Sequence, residues 1–406
     1  MSIATDPTSS PIPSTAARKA EFISLSHLNP STELEPIPTR GIDVAYFRRY
    51  VAALEDGGYD YTLLPYGSGS ADSFVTAAAV SQLTEHLRPI VALRPNTTPP
   101  QVGAQKLATL DQLSEGRAVV HIISGGSDAE QARQGDYLPK DERYARSTEY
   151  VELLRRAWHE PEAFSHRGTY YSFDDFGPGF APYGDSIPIS IGGSSDEAFE
   201  LGGRLGDIFS FWGEPLADIR SQIERVHAIA EASGRTDRPR IWVTFRPIIA
   251  QTDELAWAKA HDYVEKIGRT YEQGGYHKKY LGGGTPQNVG SQRLLGFAAQ
   301  QDVYDRALWM RTAAVTNAGG ASTALVGSPE TVAAAILDYI DIGADLVSIR
   351  GYDTLNDAVD YGRYVLPLVR QELAHREATG QRGTLQDDHP GALATASQTT
   401  REGVPA

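Results

Sequence analysis

A run of small residues, Gly192-Gly193-Ser194-Ser195, lies between the apolar stretch Ile187–Ile191 and Asp196-Glu197, where a helical pattern begins. Small residues at a strand-to-helix turn let backbone N–H groups and the positive end of the helix dipole face an anion, and the two serines add hydroxyl donors. The same tetrapeptide also serves as an ordinary helix cap with flexible glycines. Arg143-Tyr144, at the start of an earlier helix, offers a guanidinium and a phenol to the same anion or stays as helix-surface chemistry. Arg246 sits inside the apolar run Ile241–Ile249, where a charge is costly unless it is paired or used, so a functional role is expected. Tyr352 follows another buried run and offers a proton or hydrogen bond, or packs at a rim; Trp212 is a wall for a planar ring or a core residue. His121, inside a buried run, reads as a satisfied core histidine.

The elements that must position these groups are organised around residues 89–127. Ile90–Leu93 reads as a buried strand, broken at Pro95, which lacks the donor a strand needs. Thr98 is the expected N-cap of a helix with Pro99 or Pro100 in its first turn, Val102, Leu107, Leu110 and Leu113 on one face, and Gly116 as its terminator. A second apolar run, Ala118–Ile123, then ends in Ser124-Gly125-Gly126-Ser127. Strand, helix and strand in so short a span make a parallel βαβ unit with a right-handed crossover.

The same rhythm extends along the chain. Strands are expected at 21–26, 61–64, 90–93, 118–123, 187–191, 207–210, 241–249 and 345–349. Each is followed by a helix or an insertion, with a rim hairpin at 164–173 and helical patches at 252–268 and 291–314. Eight such units and no second core define an α/β protein, a single (β/α)8 TIM barrel over residues 21–376 with insertions after strands four and seven. The second insertion, 250–327, holds a glycine-rich, locally basic stretch and is read as carrying a lid over about 269–300. Residues 1–20 and 377–406 read as disordered arm and tail.

Chemistry in such barrels gathers at the C-terminal strand ends. Those exits offer His27 and Asn29; Tyr66, Ser68 and Ser70; Arg94 and Asn96; Ser124 to Ser127; Gly192 to Ser195; Trp212; Arg246; and Tyr352. The set has neither the paired carboxylates of a glycosidase nor the His/Asp cluster of a metal site, so no metal is expected. Glycine, hydroxyls and aromatics suit a flat aromatic cofactor with an anionic tail. The 406 residues are 41% hydrophobic and carry a net charge of −15, which argues against nucleic acid and anionic membranes as partners. The absence of cysteine excludes disulfides, thiolate zinc sites and cysteine nucleophiles. With no apolar core to the Ser/Thr/Pro-rich start and no membrane-length apolar run, a cytoplasmic protein is expected.

Six collinear blocks together resemble the bacterial luciferase-like flavin monooxygenases, most closely their alkanesulfonate monooxygenase branch. They are VALRPNTTPPQVGAQKLATLDQLSEGRAV (91–119), DERYARSTEYVELLRRAW (141–158), IGGSSDEAFEL (191–201), WGEP (212–215), GGASTALVGSPETVAAAI (319–336) and SIRGYDTLNDAVDYGRYVLPLV (348–369). The resemblance implies a luciferase-like barrel that binds reduced FMN, supplied by a separate NAD(P)H-dependent reductase. It implies use of O2 to oxygenate a small organosulfur substrate, releasing an aldehyde and sulfite if that substrate is an alkanesulfonate. It also implies a homodimer or homotetramer. By position it assigns Gly193, Ser194, Ser195, Tyr144, Ser124 and Asn96 to the cofactor, Arg246, Tyr352 and Ser70 to catalysis, and Trp212 and His27 to the substrate. Three departures bear on that substrate: Ser70 replaces a cysteine, Ile248 a histidine, and Asn317-Ala318 stand where the family has an arginine. The last two remove cations that bind a sulfonate. Two further readings are a deazaflavin-dependent hydride transferase of the same superfamily, and a flavin-binding barrel without turnover.

Overall fold

The computed structural model describes residues 20–177, 179–272, 285–319 and 323–388. In chain order its strands are β1 (Glu21–Leu25), β2 (Tyr61–Leu64), β3 (Arg88–Leu93), β4 (Val119–Ile122), β5 (Phe164–Arg167), β6 (Ser172–Phe176), β7 (Ile189–Gly192), β8 (Ile208–Trp212), β9 (Arg240–Phe245), β10 (Ile248–Ile249), β11 (Val303–Tyr304), β12 (Leu308–Trp309), β13 (Ala324–Gly327) and β14 (Leu346–Ile349). Eight of them close a parallel barrel in the order β1-β14-β9-β8-β7-β4-β3-β2, so the expected (β/α)8 barrel is the fold. The β5–β6 hairpin lies in the excursion between β4 and β7.

Side chains alternate between the two faces of each strand. Ile23, Tyr61, Ile90, Val119, Ile208, Trp242 and Leu346 point inward and fill one end of the barrel. Residues of opposite parity, among them Val120, Ile122, Ile189, Ile191, Phe209 and Val243, join the larger core beneath the surrounding helices. Helix Pro329–Ile342 shows how local chemistry sets an element. Ser328 accepts from Thr331 N at 3.2 Å, Pro329 occupies the first turn, and Gly343 with φ 127° ends it.

Several expected boundaries move. Helix Pro100–Leu113 takes Pro99 rather than Thr98 as its N-cap, because the short turn Pro95–Thr97 shifts the start by one residue. The strand expected over 241–249 divides at Pro247, which has no N–H for the ladder. Arg246 N turns to Thr323 O (2.9 Å), and β10 leaves the barrel to pair with β13. The helix expected at 291–314 stops at Gln300 and gives way to the β11–β12 pair around Asp305, which holds φ 51° and accepts from Leu216 N at 2.8 Å.

Contrary to the expectation of no second core, the β10-β13-β12-β11 sheet builds one with helix Asp253–Glu272. Ile248, Ala256, Ala260, Ile267, Trp309 and Val326 pack together there. The expected tail begins too early at 377. Helix Leu366–Thr379 ends at Gly380, and Leu385–Asp388 forms a further turn tied back by Gln386 Nε2 to Asp338 Oδ1 (2.5 Å). The expected arm up to 19, the tail from 389 and lid residues 273–284 lie outside the described residues. Among the described residues no helix is long and apolar enough to cross a membrane.

Candidate active site

A cavity of about 410 Å³ opens at the C-terminal ends of β4, β7 and β8, within the usual size of a small-molecule site. Its cradle is the turn Gly192–Ser195. Gly193 holds φ 141°, and a Cβ there would stand 2.8 Å from Ala198 Cβ and 3.0 Å from the Tyr144 hydroxyl. Gly192 has no room for a Cβ either, with Ser210 Oγ in its place. Ser195 is the N-cap of helix Asp196–Leu205, yet its hydroxyl does not cap that helix. Ser195 Oγ is buried and makes no well-formed hydrogen bond among the described residues. Of the acidic pair that follows, Asp196 pairs with Arg225 (2.8 Å), while Glu197 lies near Lys140 (3.7 Å) and the Ser195 hydroxyl, which helps to hold its carboxyl below the usual range. Burial pushes the Tyr144 phenol up, partly offset by the neighbouring Ser195 hydroxyl, so it is a protonated donor at neutral pH. The Ser194 and Ser195 hydroxyls, the Tyr144 phenol and Lys140 line the cavity beside the glycine turn, a set suited to an anion, with the carboxylates of Asp128 and Glu197 each paired to a cation at its edge.

Two residues near the cradle are already engaged. Arg143 donates to Ser124 O (3.1 Å) and Leu138 O (2.7 Å) and pairs with Asp128 (2.8 Å), so it pins the 124–128 loop. Ser147 gives its proton to Arg143 O and accepts from Ser124 Oγ at 2.8 Å, which spends the Ser124 proton too.

Residues 285–300 cover the cavity. Asn288 caps helix Val289–Gln300 through Ser291 N (3.1 Å). Gly290 sits so close that a Cβ would lie 3.1 Å from both Ser194 Oγ and Trp212 Cε3. The helix is anchored by Arg293, which donates to the buried Glu214 through Nε (2.9 Å) and Nη2 (2.5 Å).

On the opposite side of the barrel mouth, the ends of β1, β9 and β14 carry a charged cluster. Arg246 pairs with Glu33 (2.6 Å), donates to Gly351 O (3.3 Å) and lies 3.7 Å above the Tyr352 ring. Burial favours discharge of Arg246, but Glu33 more than compensates and holds its pKa above the ordinary value. Burial, followed by Arg350 and Arg246, depresses His27 to about 3, so it is neutral at physiological pH. Burial pushes Tyr352 up, opposed by Arg246, and it too stays protonated. Burial and Arg246 lower Arg350 to about 10, which leaves it charged.

The fold thus brings Gly193, Ser194, Ser195, Tyr144, Ser124 and Trp212 to the cavity, and His27, Arg246 and Tyr352 to the charged cluster. It does not bring Ser70 or Asn96 to the cavity. Ser70 is exposed and its hydroxyl closes the turn at Gly67, and Asn96 sits in the short turn after β3. Ile248 and Ala318, where cations were expected from the resemblance, are packed in apolar clusters. Sequence reasoning missed Glu33, Arg350 and Ser210 and set His121 aside. Arg350 and Ser210 stand at strand ends, where a strict reading of exits and parity finds them.

A closed (β/α)8 barrel with a covered, anion-suited cavity at its C-terminal mouth defines a small-molecule site of the kind this fold repeatedly builds. More narrowly, the chain belongs to the luciferase-like monooxygenase family, whose model matches residues 23–346. Solved structures of similar fold include riboflavin lyase (RcaE), solved with modified FMN and its substrate riboflavin. It is 20% identical, with TM-score 0.69 and coverage of 93% of this chain and 96% of that one. The EDTA monooxygenase EmoA from Chelativorans sp. BNC1 is 21% identical, with TM-score 0.68 and coverage of 87% and 94%. An F420-dependent secondary alcohol dehydrogenase, solved with an F420–acetone adduct, is 16% identical, with TM-score 0.63 and coverage of 87% and 99%. At these identities the likeness is one of fold.

Proposed function

We propose that the protein is a cytoplasmic two-component monooxygenase that takes reduced FMN from a separate NAD(P)H-dependent reductase and uses O2 to oxygenate and cleave a small organosulfur compound. The observation that carries this reading is the cradle, with a buried Ser195 hydroxyl lacking a good partner among the described residues and a glycine where a Cβ would collide. Ser194, Ser195, Tyr144 and the first N–H groups of helix Asp196–Leu205 would hold the phosphate, and Trp212 with Gly290 would bound the cavity. When bound, reduced FMN supplies the electrons that activate O2. The chain's own contribution is to orient the ligand, exclude water under helix Val289–Gln300, and keep Tyr352 protonated at the opposite strand ends.

The substrate reading follows the charges. Arg246 pairs with Glu33, Arg350 stays charged beside them and His27 is neutral, a cation-rich setting in keeping with an anionic head group such as a sulfonate. Apolar packing of Ile248 and Ala318 makes this a weaker anion site than one with two further cations, which favours small sulfonates or polar neutral sulfur compounds. Assembly as a homodimer or homotetramer is part of the same proposal. It is supported by the exposed Val75, Leu83 and Leu113 on the helices that follow β2 and β3.

The test is sulfite release from alkanesulfonates of increasing chain length, with FMN, O2 and a generic flavin reductase. Sulfite above the reductase-only control is expected. FMN-dependent oxidation of a sulfone or thioether without sulfite would move the substrate class. No binding of reduced FMN alongside binding of F420 would overturn the proposal in favour of hydride transfer.

A further inference from the structure

The cavity floor carries a histidine that the phosphate cradle does not use. His121 lies on β4 opposite Ser190 of β7, with both side chains on the inner face above the layer that contains Val119 and Ile208. Its Nδ1 is 2.9 Å from Ser190 Oγ, and its ring stands 5.4 Å from the Trp242 ring beneath. Ser190 is fully buried, and among the described residues its hydroxyl has only this one hydrogen-bond partner. A buried hydroxyl proton needs an acceptor. Nδ1 is the acceptor within reach, so the satisfied arrangement has Ser190 donating to Nδ1. A neutral imidazole that accepts at Nδ1 carries its proton on Nε2. Burial depresses His121 to about 4, so the ring is neutral under ordinary conditions and this tautomer is the relevant form. The imidazole lines the cavity beside Ser210, with Ser194 and Ser195 at the rim of the same space.

We propose that His121, its tautomer set by Ser190, donates a hydrogen bond from Nε2 to a ring carbonyl or ring nitrogen of reduced FMN, an assignment that rests on reading the cavity as the cofactor site. A flavin ring gains electron density on reduction, and donors aimed at its electron-rich edge bind the reduced form better than the oxidised form. His121 is thereby a cofactor-contacting residue that tunes which redox state the protein retains, a role separate from the phosphate grip. A neutral donor gives this preference without placing a further buried cation in the barrel.

The experiment is anaerobic titration of the full-length protein with reduced and with oxidised FMN, together with the midpoint potential of the bound flavin. His121→Leu should weaken reduced FMN about tenfold, the loss of one hydrogen bond to a charge-bearing acceptor, and oxidised FMN by clearly less, lowering the potential. His121→Gln, which returns an amide N–H at similar reach, should recover most of the preference. Ser190→Ala keeps the imidazole but removes the proton that fixes its tautomer, and should give an intermediate loss. Wild-type redox preference in both folded His121→Leu and Ser190→Ala overturns the role of His121 and leaves the cofactor reading standing. Failure of the unaltered protein to bind reduced FMN overturns both. Should His121→Leu fail to fold, an unchanged preference in Ser190→Ala alone overturns the assignment.

Discussion

The two sides of the barrel mouth use opposite strategies. At the ends of β4, β7 and β8 the chain presents small residues and hydroxyls around a cavity, with Ser195 Oγ buried at its edge. At the ends of β1, β9 and β14 it packs Arg246, Glu33 and Tyr352 against one another, with His27 and Arg350 alongside. The first arrangement directs small polar groups at a cavity and buries no strong charge pair. The second confines charges that must compensate each other whether or not a ligand is present. Under the proposed function the cradle would be a generic grip and the charged cluster would decide the identity of the substrate.

The comparison breaks most visibly if one partner of the charged cluster is removed. Arg246→Ala leaves Glu33 facing a mostly buried space without its 2.6 Å partner, and should cost roughly 3 kcal/mol in urea unfolding as well as turnover. Arg246→Met combined with Glu33→Gln should recover most of the stability and none of the activity. A second break uses pH. His27 and His121 have folded pKa values of about 3 and about 4, below the unfolded 6.5. Below 6.5 the unfolded chain binds protons that the folded chain refuses, so stability falls as pH falls from about 6.5 to 5. Each histidine contributes at most about 1.4 kcal/mol per pH unit. Urea midpoints at pH 7, 6 and 5 check the slope, and His121→Gln should reduce it.

On the cradle side the expected effects are smaller and fall on binding. Gly193→Ala, at φ 141° with a Cβ 2.8 Å from Ala198, should lower FMN affinity about tenfold and stability by about 1–3 kcal/mol. Ser70→Ala should change turnover and FMN affinity by less than about twofold, because its hydroxyl serves only a surface turn. A large loss of turnover there would return Ser70 to the catalytic set.

The asymmetry also explains what the sequence reveals. The cradle is local, with glycine, glycine, serine and serine consecutive at a strand end, so its chemistry reads directly from the chain. The barrel is legible for the same reason, since each strand and its exit form a short apolar run followed by turn residues. The charged cluster is not local. Glu33 belongs to a Pro-rich loop without periodicity, and only the closure of β1 beside β14 and β9 brings it to Arg246. His121 reads as a core histidine because alternation shows that it faces inward, but not that it also lines the cavity. Pro247 is a missed local signal, a donor-less residue next to which the seventh barrel strand ends at Phe245, four residues before the apolar run does.

The most direct test of the phosphate cradle compares reduced FMN with reduced riboflavin, which lacks the phosphate, in the unaltered protein and in Ser195→Ala/Tyr144→Phe. The unaltered protein should bind FMN at least about tenfold more tightly than riboflavin, and the double variant should lose most of this difference while binding riboflavin as before. Equal affinity for the two ligands in the unaltered protein would contradict the phosphate cradle.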